Sequence, residues 1–271
     1  MRRLNVLLAV FTLVVFSCSE ESIQLRDGKD TRQANVKPGD PVSELTHTYY
    51  GPAQKLGDGI VKSYYSELHD GTPLEIGVKI SLKGLSDLPT DEHEYGYYLA
   101  LHPKAAETGF TFIGFGWNPH GHEPPGVYDI PHFDVHFYFV PMEDVLSIGP
   151  DDVDGFNNHP ASAYQPPMYF APPGGVPQMG AHWIDLLAPE FNGGTFTRTY
   201  IYGSFDGKFT FYEPMVTLDY LLSQPDETIP IRLPGAFQED GYHPTDYRIT
   251  YDSKTRSYTV SIMNLTPHEG E

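Results

Sequence analysis

The chain has 271 residues and a formal net charge of −19 at pH 7, and 14% of its residues are aromatic. So acidic a chain repels the phosphate backbone of nucleic acids, which excludes a nucleic-acid-binding protein. The charge serves solubility, and it can also attract divalent cations. Because Cys18 is the single cysteine, an internal disulfide bond is excluded as well.

The first 18 residues have the order of a bacterial export signal. Arg2 and Arg3 precede an apolar run over residues 4–15, which is too short to span a bilayer. The run ends at Val15-Phe16-Ser17-Cys18, which resembles the lipobox of bacterial lipoproteins. We therefore predict that residues 1–17 are a signal peptide and that Cys18 is lipidated. The alternative is an ordinary signal peptide with a chance cysteine at its end.

The predicted lipid at Cys18 would attach the protein to a membrane without spanning it. Ser19 follows the cysteine, and no aspartate stands at this position. By resemblance to lipoprotein sorting rules, we predict the outer membrane of the bacterial cell envelope. The sequence leaves open whether the protein faces the periplasm or the cell surface.

The remainder of the chain divides into a predicted flexible tether, residues 18–45, and a single β domain, residues 46–271. The tether is polar and has no apolar periodicity. The domain is rich in Tyr and Phe, which favour strands, and in Pro and Gly, which interrupt helices. We predict an all-β fold, either a sandwich or a barrel of short antiparallel strands with long Pro/Gly-rich loops.

Eight strands are predicted in this domain. In chain order they cover residues 74–82, 95–101, 110–117, 132–140, 195–203, 208–212, 246–251 and 257–263. Short helical turns are predicted over residues 142–147 and 216–222. Asp206-Gly207 and residues 252–256 are predicted to turn two hairpins.

Four of the twelve histidines lie within residues 117–138. Because side chains alternate along a strand, the strand from residue 132 has two distinct faces. One face carries His132, Asp134, His136 and Tyr138, and the other carries Phe133, Val135, Phe137 and Phe139. The aromatic face predicts contact with the core, and the other face aligns groups that bind metal ions.

The spacing along the strand separates these groups. His132 and His136 are about 13 Å apart in a straight strand, which is too far for both to bind one ion. We therefore expect one of them to join the pair in His120-Gly121-His122, with Gly121 allowing an unusual turn. The predicted metal ligands, with zinc as the favoured ion, are His120, His122, His132, Asp134, His136 and His182.

An alternative is that these histidines form a hydrogen-bonded structural network inside a barrel or at a subunit contact. His159 and His243 each precede a proline, which predicts that they form turns. Glu213 ends a predicted strand, and two interpretations are open: a solvated strand end, which the sequence favours, or a side chain that faces the histidines.

Four segments carry a resemblance to a known family: residues 117–124, 128–138 with its Pro-His-Phe-Asp-x-His-Phe-Tyr core, 180–185 and 202–215. The chain resembles the domain-of-unknown-function family of exported bacterial β proteins first described from Thermus. The resemblance implies an exported, mostly β domain that tends to oligomerise, and it transfers no catalytic residues. His120-Gly121-His122 also resembles the first cupin motif, but Glu123 follows at once instead of several residues later.

Three hypotheses of function follow from the sequence. The first is a lipid-anchored cell-envelope β domain with a His-rich metal-binding site, its biochemical activity unknown. The second is a non-catalytic envelope protein that acts by assembly or binding, with a structural histidine cluster and a possible homo-oligomer. The third is a hydrolase in which a metal-bound hydroxide is the nucleophile and Glu123 the general base.

Overall fold

The structure is a computed structural model and describes residues 46–271. The predicted signal peptide (residues 1–17), the lipidation site at Cys18 and the tether up to residue 45 lie outside the described residues. Within residues 46–271, no helix is long and apolar enough to cross a membrane.

Fourteen strands form most of the described chain. Their bounds are β1 Thr46–Tyr50, β2 Gln54–Leu56, β3 Gly59–Leu68, β4 Pro73–Ser81, β5 Tyr95–Ala100, β6 Phe112–Asn118, β7 His132–Tyr138, β8 Tyr169–Phe170, β9 Ala181–Asp185, β10 Arg198–Phe205, β11 Lys208–Thr217, β12 Asp226–Pro230, β13 Gly241–Asp252 and β14 Ser257–His268. The helices are short: α1 Met142–Ser147, α2 Val153–Asn157 and α3 Leu218–Leu222, with 3₁₀ turns at Leu82–Leu85, Pro103–Thr108, Ser162–Tyr164 and Pro189–Phe191.

The strands form two antiparallel sheets in a sandwich-like arrangement, which confirms the predicted fold class, and they do not close into a barrel. The first sheet has the order β1-β3-β4-β14-β13-β12, with β2 paired to β3. The second has the order β5-β6-β7-β11-β10-β9-β8. Strand β7, which carries the histidines, therefore lies inside the second sheet between β6 and β11.

All eight predicted strands are present, and three of them, β11, β13 and β14, are longer than predicted. Both predicted hairpins are also present. Asp206 and Gly207 adopt φ values of 48° and 81°, the left-handed pair that matches a tight hairpin to the twist of its strands. The second helical turn starts at Leu218 because β11 continues to Thr217, whose hydroxyl caps the helix by accepting from Tyr220 N at 3.2 Å.

The main core lies between the two sheets. Phe133, Val135 and Phe137 on β7 are fully buried and belong to the same apolar cluster as Val78 on β4 and Val260 on β14. The predicted aromatic face of β7 is therefore the inner face, as expected.

The opposite face of β7 points away from the first sheet, yet it is also buried. Loop residues Tyr128 and Phe196 cover it at the His132 end. Val145 of α1 packs beside Tyr138 at the other end. The polar residues of β7 thus lie in a shielded layer between the second sheet and its covering loops.

Candidate metal centres

The polar face of β7 contributes to two neighbouring groups of metal-ligand side chains. Site A consists of His122, His132 and Asp134, and site B consists of His136, His182 and Glu213. In each site the three ligand atoms lie within 4.8 Å of one another. Asp134 and His136 are two residues apart on one strand face, so the sites are adjacent but separate.

In site A the two imidazoles approach the Asp134 carboxylate from different segments. His132 Nε2 lies 3.2 Å from Asp134 Oδ1, and His122 Nε2 lies 3.4 Å from Asp134 Oδ2. Asn118 on β6 is in register with His132, and its Nδ2 donates to Asp134 Oδ2 at 2.7 Å. This hydrogen bond fixes the orientation of the carboxylate.

The loop after β6 returns His122 to the strand because of a tight turn at Gly121. Gly121 adopts φ +73°, and a Cβ there would lie 2.0 Å from the carbonyl oxygen of Tyr128. Only glycine fits this position, as the His-Gly-His spacing predicts. His122 N then donates to the same Tyr128 oxygen at 3.2 Å.

Site B joins three strands of the second sheet. His136 on β7 faces Glu213 on β11, and His182 on β9 completes the group. His136 Nε2 lies 3.3 Å from Glu213 Oε1, and His182 Nε2 lies 3.6 Å from Glu213 Oε2. Glu213 is 1% exposed and His136 is 3% exposed, so this carboxylate lies in the protein interior.

All four imidazoles share one arrangement. Nδ1 of His122 contacts the Glu123 carbonyl at 2.8 Å, Nδ1 of His132 contacts that of Ile130 at 2.7 Å, and Nδ1 of His182 contacts that of Gly180 at 3.2 Å. His136 makes a corresponding backbone hydrogen bond with Gly114. A backbone carbonyl that holds a proton on Nδ1 leaves Nε2 as the nitrogen that faces the site, and a metal-binding histidine usually uses this nitrogen once it is deprotonated.

The nitrogen-to-oxygen distances in both sites match ligands around an ion better than they match direct hydrogen bonds. Charge-assisted N–H···O bonds are about 2.7–2.9 Å long, whereas the four distances here are 3.2–3.6 Å. Ligand atoms about 2.0–2.2 Å from a tetrahedral zinc ion lie about 3.4 Å from one another. The two sites therefore have a donor set that could hold a metal ion, and their nitrogen-to-oxygen distances are compatible with ligands around one ion.

Several buried polar atoms of these sites have no hydrogen-bond partner. Among residues 46–271 they include Asp134 Oδ1, His136 Nε2 and Glu213 Oε2. Leaving buried polar atoms unpaired costs about 1–3 kcal/mol each. An ion at each site would provide partners for all three atoms, so the residues present fit bound metal.

The two sites differ in charge. In site A burial alone would raise the pKa of Asp134, but His132 and His122 hold it well below its usual range. Burial would likewise lower the pKa of His122, but its hydrogen bond to Asp134 and the charge of that residue raise it to about 9. Without a metal ion, site A is therefore a His122–Asp134 ion pair at neutral pH.

Site B has no positive charge of its own. Burial lowers the pKa of His136 to about 4, and burial together with the charge of His136 lowers that of His182 to about 3. Burial, followed by the charges of Asp134 and Glu94, raises the pKa of Glu213 well above its usual range. A divalent cation would supply the balancing charge that the Glu213 carboxylate lacks.

The structure brings together five of the six predicted ligands. His122, His132 and Asp134 meet in site A, and His136 and His182 meet in site B. The sixth, His120, lies outside both sites, and its Nε2 contacts the carbonyl oxygen of Thr90 at 3.0 Å.

Glu213 corrects the sequence analysis, because it is a buried member of site B instead of a solvated strand end. The predicted strand ended at Tyr212, with Glu213 at its end. Proline lacks an N–H and interrupts the β7–β11 ladder, yet the strand continues to Thr217. The sequence did contain a signal for a longer strand. In a strand that continues past Pro214, Glu213 shares one face with two apolar residues, Phe211 and Met215.

His243 is a second correction, because it lies within β13 and is 9% exposed instead of forming a turn. His159 does lie in a loop, where its ring contacts Trp183 at 5.0 Å between centroids.

Comparison of the chain with protein-family models, with curated proteins and with solved structures found no match.

Proposed function

We propose that this protein is a lipid-anchored protein of the bacterial cell envelope whose sites A and B each bind one divalent transition metal ion, with zinc favoured. The observation that carries the proposal is the convergence of four Nε2 atoms on two buried carboxylates at 3.2–3.6 Å. Two imidazoles and one carboxylate form a common three-ligand zinc set. We also propose that the protein belongs to the Thermus-described family that it resembles and that it tends to oligomerise.

Three protein ligands leave a fourth position of a tetrahedral ion for water or another small ligand. A zinc ion bound in this way acts as a Lewis acid and lowers the pKa of its bound water. Site A is the more accessible of the two, since the His122 side chain is 36% exposed and that of His182 is 22% exposed. We therefore expect external ligands to reach site A first.

Zinc titration of variants tests the proposal. Metal-stripped full-length protein, purified in detergent, is expected to bind two equivalents of zinc in competition with a chromophoric chelator. His122→Ala and His182→Ala are each expected to bind one equivalent, because each substitution removes a ligand from a different site. Both side chains are partly exposed, which limits the damage to folding.

The matched control for the titration is His120→Ala, since His120 is in the same loop as His122 but outside both sites. This variant is expected to retain two equivalents. Failure of the unmodified protein to bind zinc, or an equal loss in the control, would contradict the proposed metal sites.

The lipid anchor is tested separately. Cys18→Ser removes the only thiol that can be acylated, so we expect an unprocessed precursor and loss of the membrane-bound mature form. Cell fractionation followed by mass measurement of the protein reports both effects. A variant that stays in the membrane fraction, with no accumulation of precursor, would show that the protein is not a lipoprotein.

A further inference from the structure

A cavity of about 420 Å³ lies apart from the two metal sites and shares no residue with them. It takes residues from both sheets, including Phe209 and Tyr212 of β11 and His243 of β13. Tyr212 and Glu213 are neighbours on β11, so their side chains point to opposite faces of the second sheet. Its volume is in the range of small-molecule sites, about 300–1,000 Å³.

Aromatic rings form part of the cavity wall, and the wall contains one buried polar atom without a well-formed hydrogen bond. Phe139, Phe209, Tyr212 and Phe237 contribute rings to the lining. The imidazole of His243 stacks on Phe237, with ring centroids 3.8 Å apart and an interplanar angle of 20°. His243 Nε2 is buried and makes no well-formed hydrogen bond among residues 46–271, although the backbone of Glu239 lies close to the ring.

The hydrogen-bond partner of His243 Nδ1 indicates which of the two ring nitrogens carries the proton. Nδ1 is hydrogen-bonded to the hydroxyl of Tyr212, a side chain that is 2% exposed. A phenolic hydroxyl can donate or accept, but Nδ1 is the single acceptor that this buried hydroxyl has among residues 46–271, so we infer that Tyr212 donates and Nδ1 accepts. Burial and the nearby His268 lower the pKa of His243 to about 4, which leaves the ring neutral at pH 7. A neutral imidazole has one N–H, and here it is on Nε2.

The charged groups around the cavity exclude some classes of ligand. Asp144, Glu239 and Asp240 line it together with a single ammonium group, that of Lys208, which donates to Glu239 at 2.7 Å. This excess of negative charge repels anions. A protonated organic amine cannot accept a hydrogen bond from His243 Nε2, because its ammonium group is also a donor.

We propose that this cavity binds an uncharged, flat, largely apolar small molecule whose carbonyl oxygen accepts a hydrogen bond from His243 Nε2. The aromatic rings would enclose the apolar body of the ligand, and His243 would fix its orientation. This binding site is independent of the metal ions proposed for sites A and B.

Acetophenone, an uncharged aromatic ketone, is a suitable probe for full-length protein in detergent, with binding followed by NMR or calorimetry. We expect saturable binding, and about 5- to 10-fold weaker binding of ethylbenzene, which has a similar shape but no acceptor. Benzoate and benzylamine are expected not to compete. No saturable binding of acetophenone, or tighter binding of either charged analogue, would overturn the proposal.

Gly241 offers a variant that fills the cavity without removing any wall residue. A Cβ at this position would have Thr108 O at 3.8 Å and His243 Nε2 at 4.0 Å as its nearest atoms, so a side chain would extend into free space. Gly241→Leu is expected to weaken acetophenone binding at least about tenfold, whereas Gly241→Ala is expected to retain it. Equal binding by both variants would place the probe elsewhere and contradict the proposal.

Discussion

Removal of metal ions with a chelator is expected to lower the melting temperature of this protein by about 5–20 °C. An ion that binds only the folded state at about 100 times its dissociation constant adds about 2.7 kcal/mol of stability. The contributions of sites A and B add to at most about 5 kcal/mol, because the charge of Asp134 in site A acts on Glu213 in site B and the two sites are therefore coupled. In a domain of about 150–250 residues, each kcal/mol shifts the melting temperature by about 2–4 °C.

The control for this melt is the double variant His122→Ala/His182→Ala, which lacks one ligand in each site. Its melting temperature is expected to be the same with and without chelator. Addition of zinc to the stripped unmodified protein should restore the original value. A melt of the unmodified protein that the chelator leaves unchanged would favour a structural histidine network.

Phe137→Ala is expected to lower the free energy of unfolding by about 3–5 kcal/mol. Phe137 is 0% exposed and lies in the cluster between the sheets, so its removal creates a cavity in a packed core. Denaturant unfolding measures the change. The comparison holds if the slope of the unfolding free energy against denaturant concentration is the same for the variant and the unmodified protein.

Phe170→Ala provides the matched control for this substitution. Phe170 lies on the edge strand β8 and is 50% exposed, so its loss is expected to change stability by less than about 0.5 kcal/mol. A cost below about 1 kcal/mol for Phe137→Ala would contradict the assignment of the aromatic face of β7 to the core.

The sequence predicted the parts of the site that depend on local geometry. Strand alternation placed His132, Asp134 and His136 on one face and the phenylalanines on the other, as the structure shows. The same spacing predicted that His132 and His136 would not share an ion, and they lie in different sites. The glycine between His120 and His122 predicted the unusual turn that the positive φ of Gly121 confirms.

The sequence could not supply contacts that depend on which strands become neighbours. Glu213 meets His136 only because β11 pairs with β7, although 77 positions separate the two residues along the chain. The short β9, which carries His182, was missed because five residues give little alternation. His243 was misassigned because Pro244 suggested a turn.

Pro244 is compatible with a strand because of its position in the first sheet. Pro244 pairs with Leu265 of β14 beside an irregular part of the ladder, where Thr245 and Asn264 are left out of the register and Asn264 has a φ of 54°. This detail of sheet topology is not visible in the local sequence.

An anomalous difference map from zinc-edge X-ray data on crystals of the protein tests the central claim most directly. We predict two peaks per chain, one within about 2.0–2.2 Å of the ligand atoms of His122, His132 and Asp134, and one equally placed among His136, His182 and Glu213. A map from zinc-saturated crystals with no peak at either group, or with direct N–H···O hydrogen bonds closing both groups, would contradict the account.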